Sequence, residues 1–74
     1  MFDRITRNAN VLNGQPCIRN LRISVKRVLE ILALYDKREE LFKEYPELEE
    51  ADLKQALEYA AASLEDKIVD LKTA

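Results

Sequence analysis

Leu53, Leu57, Ala60, Ala61, Leu64, Ile68 and Leu71 recur at three- and four-residue intervals through the last third of the chain. Side chains at that spacing share one face of an α-helix. A helix running from near Glu49 almost to the C-terminus would hold about 23 residues and be roughly 34 Å long at its 1.5 Å rise. Glu49, Glu50 and Asp52 stand at its start, where the positive end of the helix dipole favours carboxylates. A chain of 74 residues has room for one body, and this predicted helix is the element the body must accommodate.

Two shorter helices precede it. Ser24 can cap free backbone N–H groups, and Val25, Val28, Leu29 and Leu32 follow at helical spacing, ending near Tyr35. Asp36 with Glu39 has the spacing of a capping arrangement for a second helix, whose apolar face is Leu41, Phe42 and Tyr45. Pro46 lacks a donor and disfavours helical geometry at Tyr45, so Tyr45-Pro46-Glu47 is a corner. Helices of roughly ten residues each cover only about half of the third one. Leu64, Ile68 and Leu71 are therefore left without an obvious partner in their own chain.

The N-terminal segment reads differently. Ile5, Thr6, Val11 and Ile18 to Ile23 are interrupted by Asn8, Asn10, Asn13-Gly14 and Pro16, a pattern of short strands and turns. Asn13-Gly14 supplies the positive-φ positions of a tight turn, so Arg4 to Thr6, or Val11-Leu12, could pair with Cys17 to Arg19. The expected organisation is a single domain over residues 1–74: strands and turns in 1–23, a tri-helical core in 24–61 and a helical extension in 62–74.

Composition limits the chemistry. Cys17 is the only cysteine and histidine is absent, so no internal disulfide, zinc set, histidine base or activated thiol is expected. No glycine-rich phosphate loop appears either. These residues point to a binding module rather than an enzyme, with no cofactor and no small-molecule substrate. The start of the chain has no signal-peptide stretch, and charges interrupt every apolar run too often for a membrane span. A cytoplasmic protein is expected.

The net charge of −2 conceals two regions of opposite sign. Arg4, Arg7, Arg19, Arg22, Lys26 and Arg27 face only Asp3 within the first 27 residues, a net +5, whereas the remainder carries −7. The basic third can meet phosphate, and the acidic remainder can meet a basic protein. Arg22, between Leu21 and Ile23, reads best as a structural anchor forked onto a carboxylate, with Asp52 as its expected partner. Tyr45 and Tyr59 read as core aromatics whose hydroxyls find hydrogen bonds.

Three blocks carry a resemblance: Asn13-Gly14-Gln15-Pro16-Cys17-Ile18-Arg19-Asn20-Leu21-Arg22-Ile23-Ser24-Val25, then Tyr45-Pro46-Glu47-Leu48, then Asp52-Leu53-x-x-Ala56-Leu57-x-Tyr59-Ala60. In order and spacing the chain resembles the domain-of-unknown-function 433 family over roughly residues 5 to 61. Asn20-Leu21 replaces the family's usual Gly-Thr, Tyr35 stands where a glycine usually separates two helices, and Glu49 replaces a Thr or Ser cap. The resemblance implies a homeodomain-like, three-helix fold of the helix-turn-helix type. It also implies the antitoxin half of a type II toxin–antitoxin pair, with a PIN-like ribonuclease as the toxin.

The expected function is thus an antitoxin-like protein, dimeric, inhibiting its toxin through its C-terminal helix, with Leu64, Ile68 and Leu71 as the partner-binding residues. The alternative is a DNA-binding regulator contacting phosphate through Arg4, Arg7, Arg19, Arg22, Lys26 and Arg27, because Glu49, Glu50 and Asp52 would repel DNA from the last helix. A plain structural homodimer is the third reading.

Overall fold

The structure, a computed structural model, describes residues 2–64. Within them the chain is mainly helical, with three helices following two short strands: β1 (Ile5–Thr6), β2 (Cys17–Ile18), α1 (Val25–Leu34), α2 (Arg38–Glu44) and α3 (Glu50–Ser63). No helix among the described residues is long and apolar enough to cross a membrane.

β1 and β2 pair antiparallel, Ile5 opposite Ile18 and Thr6 opposite Cys17. This agrees with the first of the two expected pairings. Val11-Leu12 instead leads into a 3-10 turn over Leu12–Gly14, in which Leu12, Asn13 and Gly14 have φ of 48°, 58° and 79°. On its other side Cys17 bridges to Ser24, and the Ile18 amide donates to the Ile23 carbonyl at 2.9 Å. The returning lane is reached through a tight loop in which Arg19, Asn20 and Arg22 all hold positive φ (45°, 59° and 62°). Asparagine tolerates that region, as expected at position 20; for the two arginines it costs roughly 1–2 kcal/mol each. Mutual hydrogen bonds between Asn20 and Thr6 tie the loop to β1.

α1 begins where the sequence places it: the Ser24 hydroxyl accepts from the Arg27 amide at 2.9 Å. α2 starts later than expected. Its N-cap is Lys37, with no side-chain cap bond, and Asp36 lies in the bend before it. The half-buried Tyr35 stays extended and packs edge-on against Tyr45 at 6.2 Å, so the chain turns only afterwards and Asp36 falls one position too early to cap.

Ile18 joins Val25, Val28 and Ile31 of α1, Leu41 of α2, Leu48, and Leu53 and Ala56 of α3 in one buried cluster. α1 and α3 pack against each other through it. Fully burying each Leu, Ile or Val side chain stabilises by about 1.5–3 kcal/mol, so this cluster is the main adhesive of the fold.

α3 is shorter than the stripe suggests. It holds 14 residues, about 21 Å at the helical rise, and Leu64 leaves it with extended angles (φ −81°, ψ 125°). Ala60, Ala61 and Ala62 offer little apolar area to bury, and the Ser63 hydroxyl bonds back to the Tyr59 carbonyl at 2.8 Å, a local competitor of helical continuation. Ile68 and Leu71 lie outside the described residues.

Candidate functional site

Asp52, three residues into α3's first turn, is a fully buried carboxylate (0% exposed). Its oxygens accept from Arg19 Nε and Nη2 at 3.0 and 2.7 Å, from Arg4 Nη1 at 2.9 Å, and from the Glu49 amide at 2.8 Å. Burial disfavours the charge, but the hydrogen bonds from Arg19, Arg4 and the Glu49 amide outweigh it and hold the Asp52 carboxyl below the usual carboxylate range. Arg4 Nη1 also reaches Glu49 at 2.6 Å, and Arg19 Nη2 the Glu47 carbonyl at 2.8 Å. The Arg4 amide donates to Gln55 Oε1 at 2.9 Å, the Gln55 amide nitrogen donates to Asp3, and Phe2 meets Tyr59 edge-on at 5.3 Å. Residues 2–4 thus lie along the Glu49, Asp52, Gln55 and Tyr59 side of α3 as a clasp.

The anchor expected at Arg22 is therefore a correction. Asp52 is indeed the receiving carboxylate, but Arg4 and Arg19 occupy it. The left-handed backbone at Arg19 and Asn20 brings Arg19 onto α3, while Arg22, also left-handed, is exposed and makes no ion pair among the described residues.

The six basic residues consequently divide. Arg4 and Arg19 are spent on Asp52. Arg27 reaches Glu30 at 3.4 Å and donates to the Tyr45 hydroxyl at 3.2 Å. Arg7 donates to the Gly14 carbonyl at 3.0 Å, across the turn that joins β1 to β2. Arg22 and Lys26 are exposed and, among the described residues, hold no carboxylate. Four of the six thus bond through their side chains within the described residues, and Arg22 and Lys26 do not.

The opposite side of α3 has a different character. Leu53 and Ala56 are buried, but Leu57 is 48% exposed, Ala61 is exposed, and Leu64, just past the last turn, is 75% exposed. Leu57 and Ala61, at i and i+4, share one line of α3, and Leu64 follows at its C-cap. Leu34, at the end of α1, is also 67% exposed. Glu50, Lys54 and Glu58 are the exposed charges of α3. The described residues enclose no pocket for a small molecule, and Cys17 is buried with its thiol 3.2 Å from the Gln15 carbonyl.

Sequence reasoning missed Glu49, Gln55 and Asp3 as members of the clasp. One signal was present: Asp52 stands one residue before Leu53 and four before Ala56, on the core side of α3, where an unpaired carboxylate could not remain.

No curated protein and no solved structure matches the chain. A model of the family described as "Protein of unknown function (DUF433)" matches residues 5–60, a span that holds both strands, the first two helices, Arg19 and Asp52, and α3 through Ala60, while Phe2, Asp3 and Arg4 of the clasp precede it. The chain belongs to the DUF433 family.

Proposed function

We propose that the chain is a binding protein of the antitoxin type, whose outer face of α3 docks on a basic, PIN-like ribonuclease toxin and blocks it sterically. The observation that carries this reading is the exposed pair Leu57 and Ala61 on α3, with the exposed Leu64 at its C-cap, on a helix whose other side is fixed by the core and the clasp. A single exposed leucine is ordinary. Apolar positions one turn apart on a helix form the ligand that a hydrophobic groove receives. The segment after Arg27 has net charge −7, which favours a cationic partner surface around that groove. In this reading α2, the five-residue connection Tyr45–Glu49 and α3 form a homeodomain-like helix-turn-helix, and the body is dimeric.

Phosphate binding by the basic N-terminal region is the weaker reading. It keeps Arg22 and Lys26, but Arg4 and Arg19 are committed to Asp52, and Glu49 beside Arg4 repels DNA.

Co-expression with the product of a neighbouring reading frame for a small nuclease tests the proposal. The wild-type chain should co-purify with it and silence its RNase activity, and the Leu57→Asp/Leu64→Asp double variant should do neither. Undiminished capture by the folded double variant refutes the docking face. Capture lost instead on Arg22→Ala/Lys26→Ala, with steep salt dependence, would transfer the role to the basic region.

A further inference from the structure

The Asn13-Gly14 turn is used by neither the clasp nor the outer face of α3, yet it carries chemistry of its own. Asn13 is exposed, and the residue after it is the chain's only glycine. An asparagine side-chain amide can be attacked by the backbone nitrogen of the next residue. Glycine leaves that nitrogen least obstructed, because no Cβ stands beside it.

The folded turn opposes the attack in two ways. The Gly14 amide is donated to the Val11 carbonyl at 2.9 Å, so its proton and nitrogen are engaged. Asn13 rests at φ 58°, ψ 32°, in the left-handed helical well, whereas the five-membered ring that would form holds the Cα–C bond outside it. Further bonds secure the same turn: the Val11 amide to Asn8, the Gln15 amide to Leu12, and Arg7 Nε to the Gly14 carbonyl. Ring closure therefore waits for this turn to open locally.

We propose that Asn13 is a site of spontaneous deamidation gated by the opening of the 11–15 turn. In the open turn the Gly14 nitrogen loses its proton to water and bonds to Asn13 Cγ, the Cγ–N bond to the side-chain amide breaks, and ammonia leaves carrying the transferred proton. Water then opens the succinimide at either carbonyl, giving an aspartyl or an isoaspartyl residue. Each event adds one negative charge, and the isoaspartyl product inserts an extra methylene into the backbone of the turn that connects β1 to β2. Asn8, Asn10 and Asn20 are internal controls, because Ala9, Val11 and Leu21 follow them and screen the attacking nitrogen with a Cβ.

Intact-mass and peptide mass spectrometry of the full chain, incubated in mildly alkaline buffer with and without denaturing guanidinium, reads the reaction directly. The replacement of NH2 by OH should appear at Asn13 before any other asparagine. It should be slower in the native chain by roughly tenfold or more, since each tenfold needs only about 1.4 kcal/mol of local opening. Arg7→Gln removes one tie on the turn and should speed the native reaction while leaving the denatured rate unchanged. Gly14→Ala should slow the denatured rate. Equal native and denatured rates, or conversion at another asparagine first, overturns the proposal.

Discussion

The two halves of α3 contrast in almost every physical respect. From Glu50 to Ala56 the helix is gripped from both sides: Leu53 and Ala56 sit in the core, and Asp52 receives Arg4 and Arg19. From Leu57 to Ser63 no side chain reaches full burial, and the large apolar residue just beyond the helix is mostly in water. One helix thus does two jobs. Its first half locks the N-terminal arm to the body, and its second half adds Tyr59, packed on Phe2, while Leu57 and Ala61 present surface that the fold does not consume.

Replacing residues across that divide should give sharply different costs. Leu53→Ala empties a site in the core and should lower stability by about 3 kcal/mol in chemical denaturation, whereas Leu57→Ala should stay within about 0.5 kcal/mol. If Leu57 costs as much as Leu53, the halves are not distinct.

Asp52→Ala comes next, at about 2 kcal/mol. Breaking a buried pair can cost more, but Arg4 and Arg19 keep 29% and 35% of their side chains accessible and can turn to water. The same carboxylate sets an acid limit. Because its folded pKa lies below the unfolded value, the stability it contributes is present in full above roughly pH 4 and is lost as pH falls through the folded pKa. Urea midpoints measured from neutral pH downward should show this acid loss reduced in Asp52→Ala; an unchanged slope would remove Asp52 from the account.

Phe2→Ala loosens the clasp at its tip and should cost about 1 kcal/mol, the order of an edge-on aromatic pair with its burial. Amide exchange around Tyr59 should then rise more than in the first turn of α3, where Asp52 still holds Arg4 and Arg19. A rise confined to the first turn would contradict this placement of Phe2.

Much of this architecture is legible locally. Ser24 capping α1, the pairing of Arg4 to Thr6 with Cys17 to Arg19, the corner at Pro46 and the left-handed Asn20 all rest on chemistry within a few residues or across one tight turn. The clasp is not local. Asp52 finds Arg4 and Arg19 at separations of 48 and 33 residues, and among several similar arginines only the backbone of the 19–22 loop decides which one faces α3. The second helix starts later than its capping pattern predicts because Tyr35 packing delays it, and α3 ends at Ser63, earlier than its stripe predicts, because apolar periodicity alone does not register the alanine run and Ser63.

The central claim is that α3's outer face is surplus to folding and reserved for a partner. Purified Leu57→Asp/Leu64→Asp, taken through urea unfolding and then titrated against the cognate nuclease, tests it most directly. The account predicts an unfolding midpoint within about 0.5 kcal/mol of wild type together with lost inhibition. A variant that unfolds, or one that inhibits as well as wild type, contradicts it.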